Sequence, residues 1–273
     1  MPGKTIVITG ASVGIGAAAA RELTRRGETV VLVGRSPEKT RTIADELGAE
    51  FHLADFAELD QVRGLAATLL ERHPRIDVLA NNAGGIMGDR AETVDGHELT
   101  FQVNHLAPFL LTTLLADRLV ESGATVIATS SVAHRLYSDL DLDDLDARRR
   151  YSPERAYGNA KLANILFTRE LHRRYHPRGL SAAAFHPGVV ATGFSSGSSS
   201  TLRFLYGTVL SRFIASPEKG ASTLVWLAET PSGTAWQSGG YFAKSKPARL
   251  KKGVDDPALA AALWERSEAM LEG

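Results

Sequence analysis

The chain has 273 residues, 31 Lys+Arg against 31 Asp+Glu, a formal net charge of +0 and no cysteine. That length suits one α/β domain able to bury most of its apolar surface. The charge balance offers no basic face for nucleic acid. The lack of thiols excludes disulfides, thiolate nucleophiles and thiolate metal sites, and agrees with a reducing, cytoplasmic setting.

The apolar run Thr5-Ile6-Val7-Ile8 begins after four residues and reads as a first strand, so a secretory signal is not expected there. No apolar stretch approaches the roughly 20 residues of a membrane span. Short β-branched runs at 6–9, 30–33, 51–54, 78–80, 126–129 and 182–185 alternate with longer segments of helical spacing, such as Val62, Leu65, Leu69 and Leu70. The alternation predicts one doubly wound Rossmann domain over residues 1–273: a parallel sheet of about seven strands with helices on both faces, because right-handed crossovers place them there.

The first strand runs into Thr9-Gly10-Ala11-Ser12-Val13-Gly14-Ile15-Gly16 and then a helix. Glycines there let backbone approach a pyrophosphate closely, and a helix N-terminus supplies amide donors and a favourable dipole. Gly10, Ser12, Val13, Gly14, Ile15 and Gly16 are therefore candidate cofactor contacts. The spacing is G-x-x-x-G-x-G rather than G-x-G-x-x-G, and simple turn punctuation is the competing reading. At the end of the second strand stands Gly34-Arg35-Ser36, where an acidic residue would serve the ribose of NAD. A cation favours a 2′-phosphate instead, so Arg35 and Ser36 point to NADP(H) in preference to NAD(H), against the alternative of an exposed arginine without a ligand. Asp55, past the third strand, reads equally as an adenine partner or as a helix cap before Glu58.

Asn82, Ala83 and Gly84 follow the fourth strand, Asn104 lies on the next helix, and Ser130-Ser131 ends the fifth strand. Residues 135–155, rich in Asp and Arg, read as an insertion loop. Tyr157 and Lys161 stand four apart in a segment, 155–175, whose pattern is helical, so both project from one face. Such a pair arises by chance about 0.2 times in a chain of this composition, and the supporting residues carry the case. Pro187, Gly188, Val190 and Thr192 follow the sixth strand. Residues 193–216 hold a Ser/Gly run and the apolar Phe204, Leu205, Tyr206, Phe213 and Ile214. They read as a substrate lid or as a surface loop packed on its own domain. Nearly all these positions fall at the C-terminal ends of strands, where open α/β sheets bind ligands.

Taken together, residues 9–16, 81–84, Asn104, Ser131, Tyr157-x-x-x-Lys161 and Pro187-Gly188 resemble the short-chain dehydrogenase/reductase family across essentially the whole chain. Val103-Asn104-His105-Leu106, the stretch 130–134, Lys161-Leu162-Ala163-Asn164, the stretch 186–190 and the late Ser238-Gly239-Gly240-Tyr241-Phe242 are similar to its retinol-dehydrogenase-like branch. The resemblance implies an oxidoreductase that transfers a hydride between NADP(H) and the carbonyl or alcohol of a hydrophobic small molecule. Tyr157 is the implied general acid or base, with Lys161 lowering the phenol below its usual pKa of about 10 and bonding the nicotinamide ribose. Ser131 is expected to hold the substrate oxygen and Asn104 a relay water. Taken alone, Asn104 also reads as a cap or turn and Ser131 as a strand-end hydrogen bond. The branch often has serine before the lysine; Ala160 stands there, which implies altered positioning near the nicotinamide rather than lost activity. The resemblance further implies a homodimer or homotetramer through the Tyr157 helix and the helix at 218–227, or a monomer, since members of that branch are found in either state.

Two other functions use the same fold: a catalytically idle NADP(H) sensor, against which the four-residue set argues, and a C=C reductase, for which nothing extra speaks. His134 and His186 have no second histidine or carboxylate at ligand spacing, and no metal is assigned.

Overall fold

The computed structural model describes residues 3–188 and 216–272. These form an eight-stranded sheet of order β3-β2-β1-β4-β5-β6-β7-β8. The strands are β1 Thr5–Thr9, β2 Thr29–Gly34, β3 Glu50–Leu53, β4 Val78–Asn81, β5 Thr125–Thr129, β6 Ser181–Phe185, β7 Gly240–Ala243 and β8 Lys246–Pro247. The first seven are parallel in register, and the two-residue β8 adds antiparallel to β7 at the edge. The order reverses between β1 and β4, which opens a crevice at the carboxyl ends of those strands.

Period-2 alternation explains how one sheet carries two helical layers. Val7, Val31, Leu79 and Val126 point to one face. There they meet Val62, Leu65 and Leu69 of α3 (Leu59–Arg72), and Phe109, Leu110 and Leu111 of α5 (Ala107–Leu114). Their neighbours Ile6, Ile8, Leu32, Val78 and Ile127 point to the other. They pack on α1 (Gly14–Arg25), α2 (Pro37–Leu47) and α9 (Pro217–Glu229). A third apolar cluster joins the long helix α8 (Pro153–Tyr175) to the C-terminal helix α10 (Pro257–Glu272). The architecture is thus the Rossmann-like α/β domain expected from the alternation, with one short antiparallel strand more.

Helix boundaries differ from the expectation where local chemistry overrides periodicity. Ser36-Pro37-Glu38, Ser152-Pro153-Glu154 and Ser216-Pro217-Glu218 each open a helix. The serine oxygen accepts from the amide three residues on, at 3.5, 3.2 and 3.4 Å respectively. Proline at the first helical position and an acid in the first turn suit the N-terminus. Helix α8 therefore starts at Pro153, two residues before the periodic segment, and α9 spans Pro217–Glu229 rather than 218–227. Of the segment read as an insertion loop, Arg135 and Leu136 end the short helix α7 (Ala133–Leu136) and residues 153–155 belong to α8. The irregular chain between them lays Leu140, Leu142 and Leu145 on the third cluster. Residues 193–215, read as the greater part of a lid, lie outside the described residues.

Candidate active site

Helix α1 starts differently from the three Ser-Pro-Glu helices. Its N-cap is Val13, in extended conformation and without a side-chain hydrogen bond, and no acid occupies its first turn. The first-turn amides of α1 thus keep their donors and their partial positive charge for an external anion. Gly10 and Ser12 lie in the turn before it, Gly14 and Ile15 begin it, and Val13 is exposed between them. Gly16 sits where a Cβ would come within 2.3 Å of the Gly10 carbonyl, so no larger residue lets the turn fold back on the helix.

The β4 end is tied to this turn. The Thr9 hydroxyl accepts from the amides of Asn82 and Ala83, both at 3.0 Å. The Asn82 side-chain amide donates to the carbonyls of Thr9 and Gly10 at 3.0 and 3.3 Å. Asn82 and Ala83 thus brace the crevice wall. Thr9, absent from the expected contacts, is the hub of the brace.

Arg35 leaves the end of β2 with its side chain 72% exposed and one guanidinium nitrogen 3.9 Å from Asp55 Oδ2. Ser36 caps α2 beside it. The Asp55 carboxylate accepts from the Ala57 amide at 3.0 Å, a turn contact, and faces Arg35. The structure brings Arg35, Ser36 and Asp55 to one rim of the sheet, with a carboxylate partly offsetting the cation.

The Tyr157 and Lys161 pair lies on α8, where it crosses the end of β5. Lys161 is 1% exposed. Its Nζ donates to the Thr129 carbonyl at 3.1 Å and sits 5.4 Å from the Tyr157 ring centre. Burial alone pulls Lys161 down to about 7. Two further bonds fasten α8 to β5: Ser130 Oγ donates to the Lys161 carbonyl at 2.8 Å, and Asn164 Nδ2 to the Thr129 carbonyl at 3.1 Å. Ser130 is wholly buried in this joint, whereas Ser131 is only half-buried at the start of the turn into α7, its hydroxyl accepting from the Ala133 amide at 3.2 Å.

Asn104 lies in a π-helical turn, Gln102–Leu106, inserted between α4 (Leu99–Phe101) and α5. Such turns are common at functional sites because they re-aim a side chain. The Asn104 side chain accepts from the Gly85 amide at 3.0 Å and donates to the carbonyls of Gly85 and Thr100 at 2.9 and 2.8 Å. Its own carbonyl accepts from Asn164 at 3.0 Å. The side chain therefore holds the loop after β4, and the main-chain carbonyl faces Asn164 of α8. A Cβ on Gly84 would fall 2.3 Å from Asn104 Oδ1 and 3.2 Å from Lys161 Nζ. Gly84, Asn104 and Lys161 thus meet in one place. Asn164 links them, and its place one turn beyond Lys161 is the signal that could have found it.

On the far side of Ser131, burial keeps His134 below its usual value; its Nδ1 contacts the Ser131 carbonyl at 2.6 Å. The rings of His134 and His186 flank Tyr241 at 5.0 and 5.7 Å. Pro187 and Gly188 follow β6, with the Gly188 amide donating to His186 Nδ1 at 3.1 Å. Val190 and Thr192 lie outside the described residues.

Among the described residues no helix is long and apolar enough to cross a membrane. The pattern of the short chain dehydrogenase family matches residues 4–203. A Streptomyces sp. (strain C5) protein named as a candidate daunorubicin C-13 ketoreductase is 45% identical, covering 98% of this chain and 93% of its own. Human retinol dehydrogenase 14 is 36% identical, with 99% and 87% covered. The fold also matches an alcohol dehydrogenase of the archaeon Thermococcus sibiricus solved with 5-hydroxy-NADP, at a TM-score of 0.68, 25% identity, and 88% and 94% of the two chains. With a nucleotide crevice at β1 and β4 and a Tyr-x-x-x-Lys helix fastened across β5, the chain belongs to the short-chain dehydrogenase/reductase family and to its retinol-dehydrogenase-like branch.

Proposed function

We propose that the protein is an NADP(H)-dependent carbonyl reductase or alcohol dehydrogenase for bulky, largely apolar small molecules, with Tyr157 as the proton-transfer group. The observation that carries this reading is the buried Lys161 ammonium beside the Tyr157 ring, at the carboxyl end of β5 and next to Gly84. A buried cation stabilises any anion formed close to it, here the phenolate left when Tyr157 gives its proton to a carbonyl oxygen.

The residues fit a nicotinamide dinucleotide. The uncapped α1 amides and the Gly16 turn suit its pyrophosphate, Arg35 and Ser36 a 2′-phosphate, and Lys161 the ribose near the reacting carbon. When bound, that group supplies or takes the hydride. The chain's own residues do the rest. Ser131 holds the substrate oxygen, Tyr157 moves the proton, Lys161 steadies the phenolate, and the Asn104 carbonyl holds the water through which the proton is replaced. Apolar Leu136 and Tyr137, 65% and 47% exposed on and just past the turn that follows Ser131, suit an apolar substrate. The ketoreductase and retinol dehydrogenase names of the relatives agree with that class.

The test is NADPH oxidation followed at 340 nm with a panel of apolar aldehydes and ketones. Tyr157→Phe is expected to lower kcat about 100-fold or more while NADPH affinity stays within a few-fold. Undiminished turnover in that variant refutes the proton-transfer role. Tight NADPH binding with no carbonyl turnover in the wild type supports the sensor reading instead.

A further inference from the structure

Glu50 opens the edge strand β3, and His52 stands two residues on, so their side chains share one face of the sheet. Helix α3 runs back along that face and ends at its C-cap, His73, whose backbone is extended. Three potential ligand atoms, one from each residue, lie within 4.8 Å of one another. His52 Nε2 is 3.0 Å from Glu50 Oε1, and His73 Nε2 is 3.7 Å from Glu50 Oε2. His52 Nε2 and His73 Nε2 are buried from water without a hydrogen bond of good geometry, and Glu50 Oε1, equally buried, has the Arg72 guanidinium 2.7 Å away. Buried polar atoms normally find partners, and two imidazole nitrogens left without a good one on either side of a shared carboxylate call for a common one.

We propose that Glu50, His52 and His73 form a binding site for a divalent transition-metal ion, with Zn²⁺ as the natural probe. Two imidazoles and a carboxylate are the donor set that such ions take, with water completing the shell. In a tetrahedral zinc site, ligand atoms stand about 3.4 Å apart. The present spacings need only small rotamer adjustments to reach that value. The scaffold is already fixed: the Arg118 guanidinium bonds the His73 carbonyl and, at 3.2 Å, that of Leu70. Arg72 stands 2.7 Å from Glu50 Oε1, but its side chain is 58% exposed and free to withdraw or to bond the outer carboxylate lone pair once the metal is bound. Bound metal would staple the end of α3 to the free edge of the sheet. The site is independent of the hydride chemistry, and its test does not depend on the proposed activity.

The experiment is isothermal titration of Zn²⁺ into the full-length protein after EDTA treatment and desalting, with thermal unfolding in parallel. One Zn²⁺ per chain with micromolar affinity is expected. In excess metal, Tm should rise by about 5 °C. His52→Gln and His73→Gln should each weaken binding at least about tenfold. Co²⁺ absorption in the wild type, lost in either variant, reads the ligand set independently of stability. The fold holds a second close histidine pair, His172 and His176, with rings 4.6 Å apart. His176→Gln therefore serves as the control and should leave affinity unchanged. Absence of binding at millimolar Zn²⁺, or binding abolished by His176→Gln and kept by His52→Gln, overturns the assignment.

Discussion

Lys161 shows how a single residue couples function to a stability cost. Its folded pKa of about 7 lies below the 10.5 of a free lysine, through burial. Between those values the unfolded chain carries a proton that the folded chain lacks. Stability therefore rises with pH across that window and is lowest below it, by a few kcal/mol in all. Replacing Lys161 by Met removes the buried cation while the Thr129 carbonyl keeps the Asn164 donor. We expect Lys161→Met to raise the Tm of the cofactor-free protein at pH 7 and to flatten its pH dependence between pH 7 and 10, with activity lost. An unchanged slope in urea unfolding across that range would show that the ammonium is not the titrating group. Arg35 and Asp55 make the second residue-scale prediction. Arg35→Ala should reduce the preference for NADPH over NADH about 10- to 100-fold, the worth of a charge-assisted bond. Asp55→Asn, by lifting the offsetting charge 3.9 Å away, should tighten NADPH binding a few-fold at low salt and less at high salt. Measured dissociation constants for both dinucleotides decide the matter.

Elements place the chemistry by holding backbone to backbone. Asn164 projects from α8 and donates to the carbonyls of Asn104 and Thr129, so that one side chain ties the π-helical turn, the β5 end and the lysine helix together. Substitution by Leu leaves the Asn104 carbonyl without that donor. The expected cost is about 2 kcal/mol in denaturant unfolding, with kcat falling more than KM rises. A stability loss at constant kcat would show that the clamp is structural alone. The Ser-Pro-Glu openings of α2, α8 and α9 show how much local chemistry sets element ends: periodicity finds the helix, and the cap decides where it starts. Helix α1 lacks both the cap and the acid, which leaves its first-turn donors to the pyrophosphate in the proposed function.

At the scale of the whole molecule, the C-terminal helix α10 packs on α8 and α5 from outside. Trp264 stacks on Phe167 of α8 at 5.6 Å and meets Phe109 of α5 edge-on at 4.8 Å. Its neighbour Ser267 bonds His105, inside the π-helical turn, at 2.9 Å. Complete burial holds His105 at about 4, against 6.5 for a free imidazole. Its contribution is whole above pH 6.5 and is lost as pH falls towards 4, on the order of 3 kcal/mol. Urea midpoints at pH 7.5 and pH 5 should differ by correspondingly less in His105→Gln than in the wild type. An equal difference in both proteins would place the acid sensitivity elsewhere.

The alternation of strands and helices, helical spacing and the glycine turn are local patterns, and residues 5–34 and 155–175 carry them openly in the sequence. So the doubly wound domain, the two-sided sheet and the Tyr157 and Lys161 pair were legible without coordinates. Neighbourhood across the sheet was not. That Thr9 braces Asn82 and Ala83 across 73 and 74 positions depends on β1 lying beside β4. The Asn104 side chain meets Gly85, 19 positions away, because the π-helical turn lies beside the loop after β4. Glu50, His52 and His73 converge because α3 returns to the edge of the strand it left, although only Glu50 and His52 are near in sequence. Period and propensity act within a few residues, whereas burial, pKa and shared ligands are set by which distant segments the packing brings within a few ångströms.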